Sequence, residues 1–217
     1  MLENRHPKAV IWDFNGTLID DMRICVDAIN VLLKARNLPE IDLKTYKRLF
    51  TFPVRDYYKA IGFDFSKEAF EIPALAFMDL YVDRIYTARL FDGVRDILNR
   101  ISQAGIQQYV LSAMEQGLLE KLLHHYEISH HFEVIQGIDD HFGGGKTERG
   151  KSLLEKIPVR PDEVLFVGDT LHDAEVAASL GVEVVLLGQG HQSPERLQSN
   201  GTLVCSHLAD FAEKFGF

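Results

Sequence analysis

The sequence predicts an α/β protein, a doubly wound parallel sheet interrupted by an all-helical insertion. Three observations carry that expectation. Short apolar runs each end in a polar or glycine-bearing turn, amphipathic helical patterns lie between them, and one long stretch has helical periodicity and no run suited to a buried strand.

The first run, residues 9–13 (AVIWD), reads as a buried strand ending at Asp13, with a turn at Asn15 and Gly16. Residues 20–88 then change rhythm. Val26, Ile29, Leu32 and Leu33 fall on one helical face, and further helical segments are expected over 43–50, 54–61 and 68–86. We read 20–88 as an inserted helical cap and 1–19 with 89–217 as the α/β core. The stretch 90–94 returns to the core, where Gly93 supplies a helix-start turn. Helix 93–104, strand 108–112, helix 116–126, helix 149–156, strand 164–169, helix 172–180 and strand 182–187 complete the alternation.

Composition narrows the function. The chain has 217 residues, 46% hydrophobic and 25% charged, enough to bury a sizeable core. A formal charge of -9 argues against a nucleic-acid surface or an anionic membrane as partner, because both depend on Lys and Arg against phosphate. No apolar run approaches membrane-spanning length, and Cys25 and Cys205 are too few for a disulfide framework, so a cytoplasmic protein is expected. The sequence carries no signal for oligomeric state.

The polar residues at the strand ends are the informative ones. In a parallel sheet the loops after the strands gather at one edge, so Asp13, Ser112 and Asp169 should meet there. Asp13 and Asp169, joined by Asp173 four residues on, form a hard oxygen set suited to Mg²⁺. The competing reading makes Asp169 and Asp173 mere helix-start carboxylates. GGGK at 143–146 is a weak phosphate-loop signal, and Lys151 is the rival lysine.

In order along the chain, DFNGTL, VLSA, GGGK and VGDTLHD resemble the haloacid dehalogenase superfamily of hydrolases. With helices inserted after the first motif, the chain is most similar to the phosphoglycolate phosphatase-like branch with a small helical cap. The resemblance implies a Rossmann-like core and a Mg²⁺-dependent phosphohydrolase of a small phosphorylated metabolite. It makes Asp13 the nucleophile that forms an aspartyl-phosphate, with Ser112 and Lys146 holding and neutralising the phosphoryl group. Gly16, Thr17 and Ala113 complete the substrate loop, and Asp13, the Asn15 carbonyl, Asp169 and Asp173 serve the metal.

Asn15 departs from the pattern, which has a proton-transferring Asp there. Its amide keeps the carbonyl role and loses the acid–base one, worth about 10²–10⁴-fold. The departure leaves room for a catalyst that favours acyl or aryl phosphates, for another side chain acting as acid, with His172 a candidate, and for a weakly catalytic phosphate-ligand binding or regulatory relative. In the cap, LFTFPVRDYY at 49–58 is the expected pocket wall, with Arg55 poised for an anionic substrate group and Phe50, Phe52 and Tyr57 as wall or cap core. The pairs His124–His125 and His130–His131 read as surface histidines.

Overall fold

The computed structural model describes residues 7–139 and 145–217. Eight strands and ten α-helices follow along them. Six strands build one parallel sheet in the order β5-β4-β1-β6-β7-β8, where β1 is Ala9–Trp12, β4 Gln107–Glu115, β5 Val134–Ile138, β6 Val164–Gly168, β7 Glu183–Leu187 and β8 Leu203–Cys205. The fold is α/β and Rossmann-like.

Alternation along β1 explains the layering. Val10 and Trp12 join one hydrophobic cluster, with residues of α5 (Val94–Gln103), α6 (Gln116–His125) and α10 (Leu208–Phe215). Ala9 and Ile11 join the other, with residues of α7 (Lys146–Leu154) and α8 (Leu171–Leu180). A strand buried on both faces must be apolar at every position, which is why AVIW shows no polar alternation. The short α9 (Pro194–Leu197) lies between β7 and β8.

Between β1 and β4 the chain leaves and re-enters the core through a two-stranded antiparallel ribbon, β2 (Ile19–Asp20) against β3 (Arg89–Leu90), with Ile19 opposite Leu90. Four helices lie between its strands: α1 (Met22–Ala35), α2 (Leu43–Leu49), α3 (Val54–Ala60) and α4 (Glu71–Ile85). Their aromatic residues belong to the same continuous cluster as the Trp12 face of the sheet. Among the described residues, no helix is long and apolar enough to cross a membrane.

Two edge strands, β5 and β8, were not expected from the sequence. β5 reads VIQGI and is half-exposed over its first three residues, and β8 is three residues long. An edge strand covered on fewer sides needs fewer apolar residues, so its run is too short or too broken to stand out. Helix α7 starts at Lys146, ahead of the expected 149, because its polar opening KTER carries no apolar periodicity. Gly143 and Gly144 of the GGGK stretch lie outside the described residues, and Gly145 precedes the helix at φ +82°.

Candidate active site

Register brings the strand-end residues together. Trp12 lies opposite Val110 on one side and Val167 on the other, so Asp13 emerges between β4, which runs on to Glu115, and the end of β6, near Ser112 and Asp169. The Asp13 amide donates to the Val167 carbonyl at 2.8 Å, which fixes the loop to β6. Ligand oxygens of Asp13, Asp169 and Asp173 lie within 4.8 Å of one another, and all three residues are buried.

Lys146, from the first turn of α7, reaches this cluster from below. Its Nζ donates to Asp13 Oδ1 and, at 2.6 Å, to Asp173 Oδ1. Asp173 Oδ2 accepts from the Asp169 and Thr170 amides and the Thr170 hydroxyl at 3.1, 2.9 and 2.7 Å, so its carboxylate is the most fully bonded of the three. Asp169 is held by the His191 amide at 2.6 Å and the Thr17 hydroxyl at 3.2 Å. Ser112 Oγ accepts from the Met114 amide at 3.2 Å, which orients the hydroxyl group.

The electrostatics follow from burial. Removal from water pushes Asp13 up to about 6, with Lys146 opposing and Asp173 adding to the rise. Burial likewise pushes Asp169 up to about 8, against the pull of His191. Burial also works against Asp173, but Lys146 and the Thr170 hydroxyl hold its carboxyl below the ordinary range. The same two carboxylates raise Lys146, which stays charged. Of the three buried carboxylates only Asp13 and Asp173 bond the Lys146 ammonium, which leaves Asp169 without a cation of its own in a set of hard oxygens that fits a divalent cation of the Mg²⁺ kind.

Gly16 lets the loop close on this cluster. It sits at φ +73°, and a Cβ there would stand 2.3 Å from Asp169 Oδ2 and 2.4 Å from His191 Cδ2. Any side chain at this position would expel Asp169 or His191.

Above the cluster lies a cavity of about 170 Å³. Asp13, Asn15, Ser112, Ala113, Lys146, Asp169 and Asp173 border it on the sheet side. The opposite wall comes from the inserted helices and is dominated by rings.

A model of the haloacid dehalogenase-like hydrolase family matches residues 10–187. The chain belongs to this family. It is 29% identical to the tyrosine-protein kinase PtkA of Mycobacterium tuberculosis, over 95% of this chain and 71% of that protein. It is 27% identical to a phosphoglycolate phosphatase of Rhodospirillum rubrum, over 97% of this chain and 92% of that one. A haloacid dehalogenase-like hydrolase from Streptococcus pneumoniae superposes with a TM-score of 0.83 at 20% identity, covering 99% of this chain and 100% of that one, and so shares its fold.

In this hydrolase Asn15 is built into a second polar network. Its Nδ2 donates to Asp21 Oδ2 at 2.8 Å and to the Tyr81 hydroxyl at 2.7 Å, and that hydroxyl donates to the same Asp21 oxygen at 2.7 Å. His191 Nε2 stands 3.1 Å from Asp21 Oδ1, and its Nδ1 stands 2.8 Å from the Tyr46 hydroxyl. Burial would drive His191 neutral, but Asp21 lifts it to about 9; reciprocally, His191 with Tyr81 and Asn15 keeps Asp21 below the ordinary range despite its burial. The amide at position 15 therefore matches its surroundings: a carboxylate there would face Asp21 directly.

Two expectations change, for Arg55 and His172, and the open choice between Lys146 and Lys151 is decided. Arg55 does not line the cavity: Val54, Tyr57 and Tyr58 occupy the inner side of α3, which turns Arg55 to solvent with its guanidinium 5.4 Å from the centre of the Phe65 ring. Lys151 is half-exposed and pairs with Glu148 at 2.7 Å, so Lys146 is the lysine that enters the cluster. His172 stacks on Phe52 at 4.7 Å and meets Glu175 at 3.3 Å, outside the cavity lining.

Asp21, Tyr46, Tyr81 and His191 escaped the sequence reading. His191 had a legible signal, since GQGH follows the apolar run of β7 as the other site residues follow theirs. Tyr46 and Tyr81 carried none, because a tyrosine on an amphipathic helix is indistinguishable from core packing.

Proposed function

We propose that this hydrolase, a phosphoric monoester hydrolase by family, is Mg²⁺-dependent and transfers the phosphoryl group of a small substrate to Asp13. The observation that carries the reading is the bridging of Asp13 and Asp173 by Lys146 with Asp169 alongside. Asp13 and Asp169 would hold the cation with the Asn15 main-chain carbonyl, and Asp173, already saturated by Lys146 and the Thr170 turn, would hold it through the positions of its neighbours. When bound, the cation supplies charge neutralisation at the phosphoryl oxygens.

The residues divide the chemistry between them. An Asp13 carboxylate oxygen attacks phosphorus; the new O–P bond forms as the bond to the leaving oxygen breaks, and that oxygen departs with the electron pair. Ser112 donates its hydroxyl hydrogen to a phosphoryl oxygen beside Ala113, while the Gly16–Thr17 turn, whose own amides donate to the Ile19 and Phe14 carbonyls, fixes the shape of the loop around it. Lys146 offsets the charge on Asp13 and on the transferring group. Water then attacks phosphorus, the aspartyl O–P bond breaks, phosphate leaves and the water's second proton passes to solvent. The helices between β2 and β3 serve as the cap that walls the reaction from bulk water.

Buried Cys25 and Cys205, both free thiols, fit a reducing cytoplasm, and neither nucleic acid nor membrane is needed as partner. The test is a quenched reaction with a small acyl phosphate and Mg²⁺. A phosphorylated peptide containing Asp13, lost in Asp13→Asn and on chelation, is the expected result. A second reading, favoured by Asn15, is a phosphate-ligand binding relative with little turnover; tight Mg²⁺-dependent phosphate binding without any phosphorylated peptide would select it.

A further inference from the structure

We infer that the leaving group is a single uncharged aromatic ring, so that the substrate is an aryl phosphate monoester whose ring carries a polar substituent remote from the phosphate. The inference deepens the phosphohydrolase reading and rests on it.

The cavity wall facing Asp13 is built from Phe50, Phe52, Phe70, Phe77, Tyr57 and Tyr58, with Val54, Ala74 and Met78 between them. Such a surface gains from excluding water around an apolar body, and rings select rings through edge and offset contacts. Among the described lining residues there is no arginine, and the one lysine, Lys146, is already shared by Asp13 and Asp173. The imidazole of His191 is likewise engaged by Asp21 and Tyr46. A substrate with a second anionic group, such as a carboxylate beside the phosphate, would be buried against rings with no cation to receive it, which is costly. The cavity of about 170 Å³ must hold the phosphoryl group as well, so it leaves room for a leaving group no larger than one ring, since benzene alone occupies an apolar cavity of about 150 Å³.

Two further features agree independently. Asn15 has no proton to give, and its amide hydrogens are spent on Asp21 and Tyr81, so a leaving oxygen that departs as a stabilised phenolate suits this site better than an alkoxide. Tyr57 lines the cavity and is 2% exposed, yet its hydroxyl has no hydrogen-bond partner among the described residues. A buried hydroxyl left unpaired is unfavourable unless something completes it, and a small turn of the Tyr57 ring toward the cavity would let a polar ring substituent do so.

The experiment separates wall from leaving group by using inhibitors that do not react. Phenylphosphonate and phosphonoacetate are compared as competitors of a chromogenic aryl phosphate with Mg²⁺ present, and the ratio of kcat/KM for 4-hydroxyphenyl phosphate over phenyl phosphate is measured in the native protein and in Tyr57→Phe. We expect phenylphosphonate to bind at least about tenfold tighter, and the kcat/KM ratio to fall about tenfold in Tyr57→Phe. Phe77→Ala should weaken phenylphosphonate about tenfold while orthophosphate inhibition holds. Phosphonoacetate binding as well as phenylphosphonate, or 2-phosphoglycolate outperforming phenyl phosphate, overturns the aryl assignment and leaves the phosphohydrolase standing. No turnover of any monoester together with no phosphorylated Asp13 removes both.

Discussion

The sheet edge and the inner wall of the inserted helices face each other across one cavity and are opposites in chemistry. At the sheet edge three carboxylates and a lysine are each placed by a strand end or a helix start, and a serine by the later part of β4. Across from them the wall is almost wholly rings and aliphatic carbon. The edge can hold and transfer a charged group of one fixed kind, whereas the wall can only choose what is attached to it. On the proposed reading, reaction and selection fall to different segments of the chain, and each should be open to disabling without the other.

The largest expected effect breaks the sheet-edge half. Asp13→Asn should lower turnover on the order of 10⁵-fold or more, read by steady-state rates on an aryl phosphate, with phosphate-analogue binding retained. Residual turnover within tenfold of native would take the nucleophile away from Asp13. Lys146→Met follows, with an expected loss of about 10²–10³-fold in kcat, because one charge-stabilising donor is removed from the transferring group.

Next come the residues that join the two halves. His191 has a raised value of about 9 against an ordinary 6.5, so its pairing with Asp21 stabilises fully below pH 6.5 and is lost as pH rises through about 9. The amount is on the order of 3 kcal/mol. Urea melts across that window should show the decline in the native protein and a flatter profile in His191→Gln. Asn15→Asp sets a second carboxylate against Asp21, so its proton is retained in the fold to higher pH; stability should match native below about pH 4 and fall about 1–3 kcal/mol short as pH rises through about 6, staying short above it. Equal melts at pH 8 would show that Asp21 does not face position 15.

The smallest effect sharpens the boundary of the selecting wall. Arg55→Ala should change kcat/KM by about twofold or less for any substrate, as a solvent-facing substitution does. A larger loss restricted to an anionic substrate would return Arg55 to the binding surface.

This contrast also decides what could be read before any coordinates. Asp13 and Asp169 were legible because apolar runs name their strands, and a parallel sheet sends all such ends to one edge. Position and spacing stood in for three-dimensional proximity. The inner wall offers no such shortcut: Phe77 and Tyr81 belong to a helix whose buried and exposed apolar residues, among them Ile72 at 57% and Leu75 at 48% exposure, share one composition. Arg55 was misplaced for the same reason, since its helical phase is set by Tyr57 and Tyr58, which the sequence presents as one undivided aromatic cluster. The edge strands β5 and β8 were lost because partial cover asks little hydrophobicity of them.

The seam between the halves has a kinetic consequence. Tyr81 from α4 bonds both Asn15 and Asp21, Tyr46 from α2 meets His191, and the Phe50 carbonyl accepts from Gln192 and Arg196. A swing of the helices away from the sheet about the β2–β3 ribbon would part the bonds to Asn15, His191, Gln192 and Arg196 together, so these four would act as a latch. A latch of that kind would tie the frequency of admission and discharge to the integrity of the Asn15 turn itself, making the loop proposed to carry the nucleophile also the timer of its own exposure.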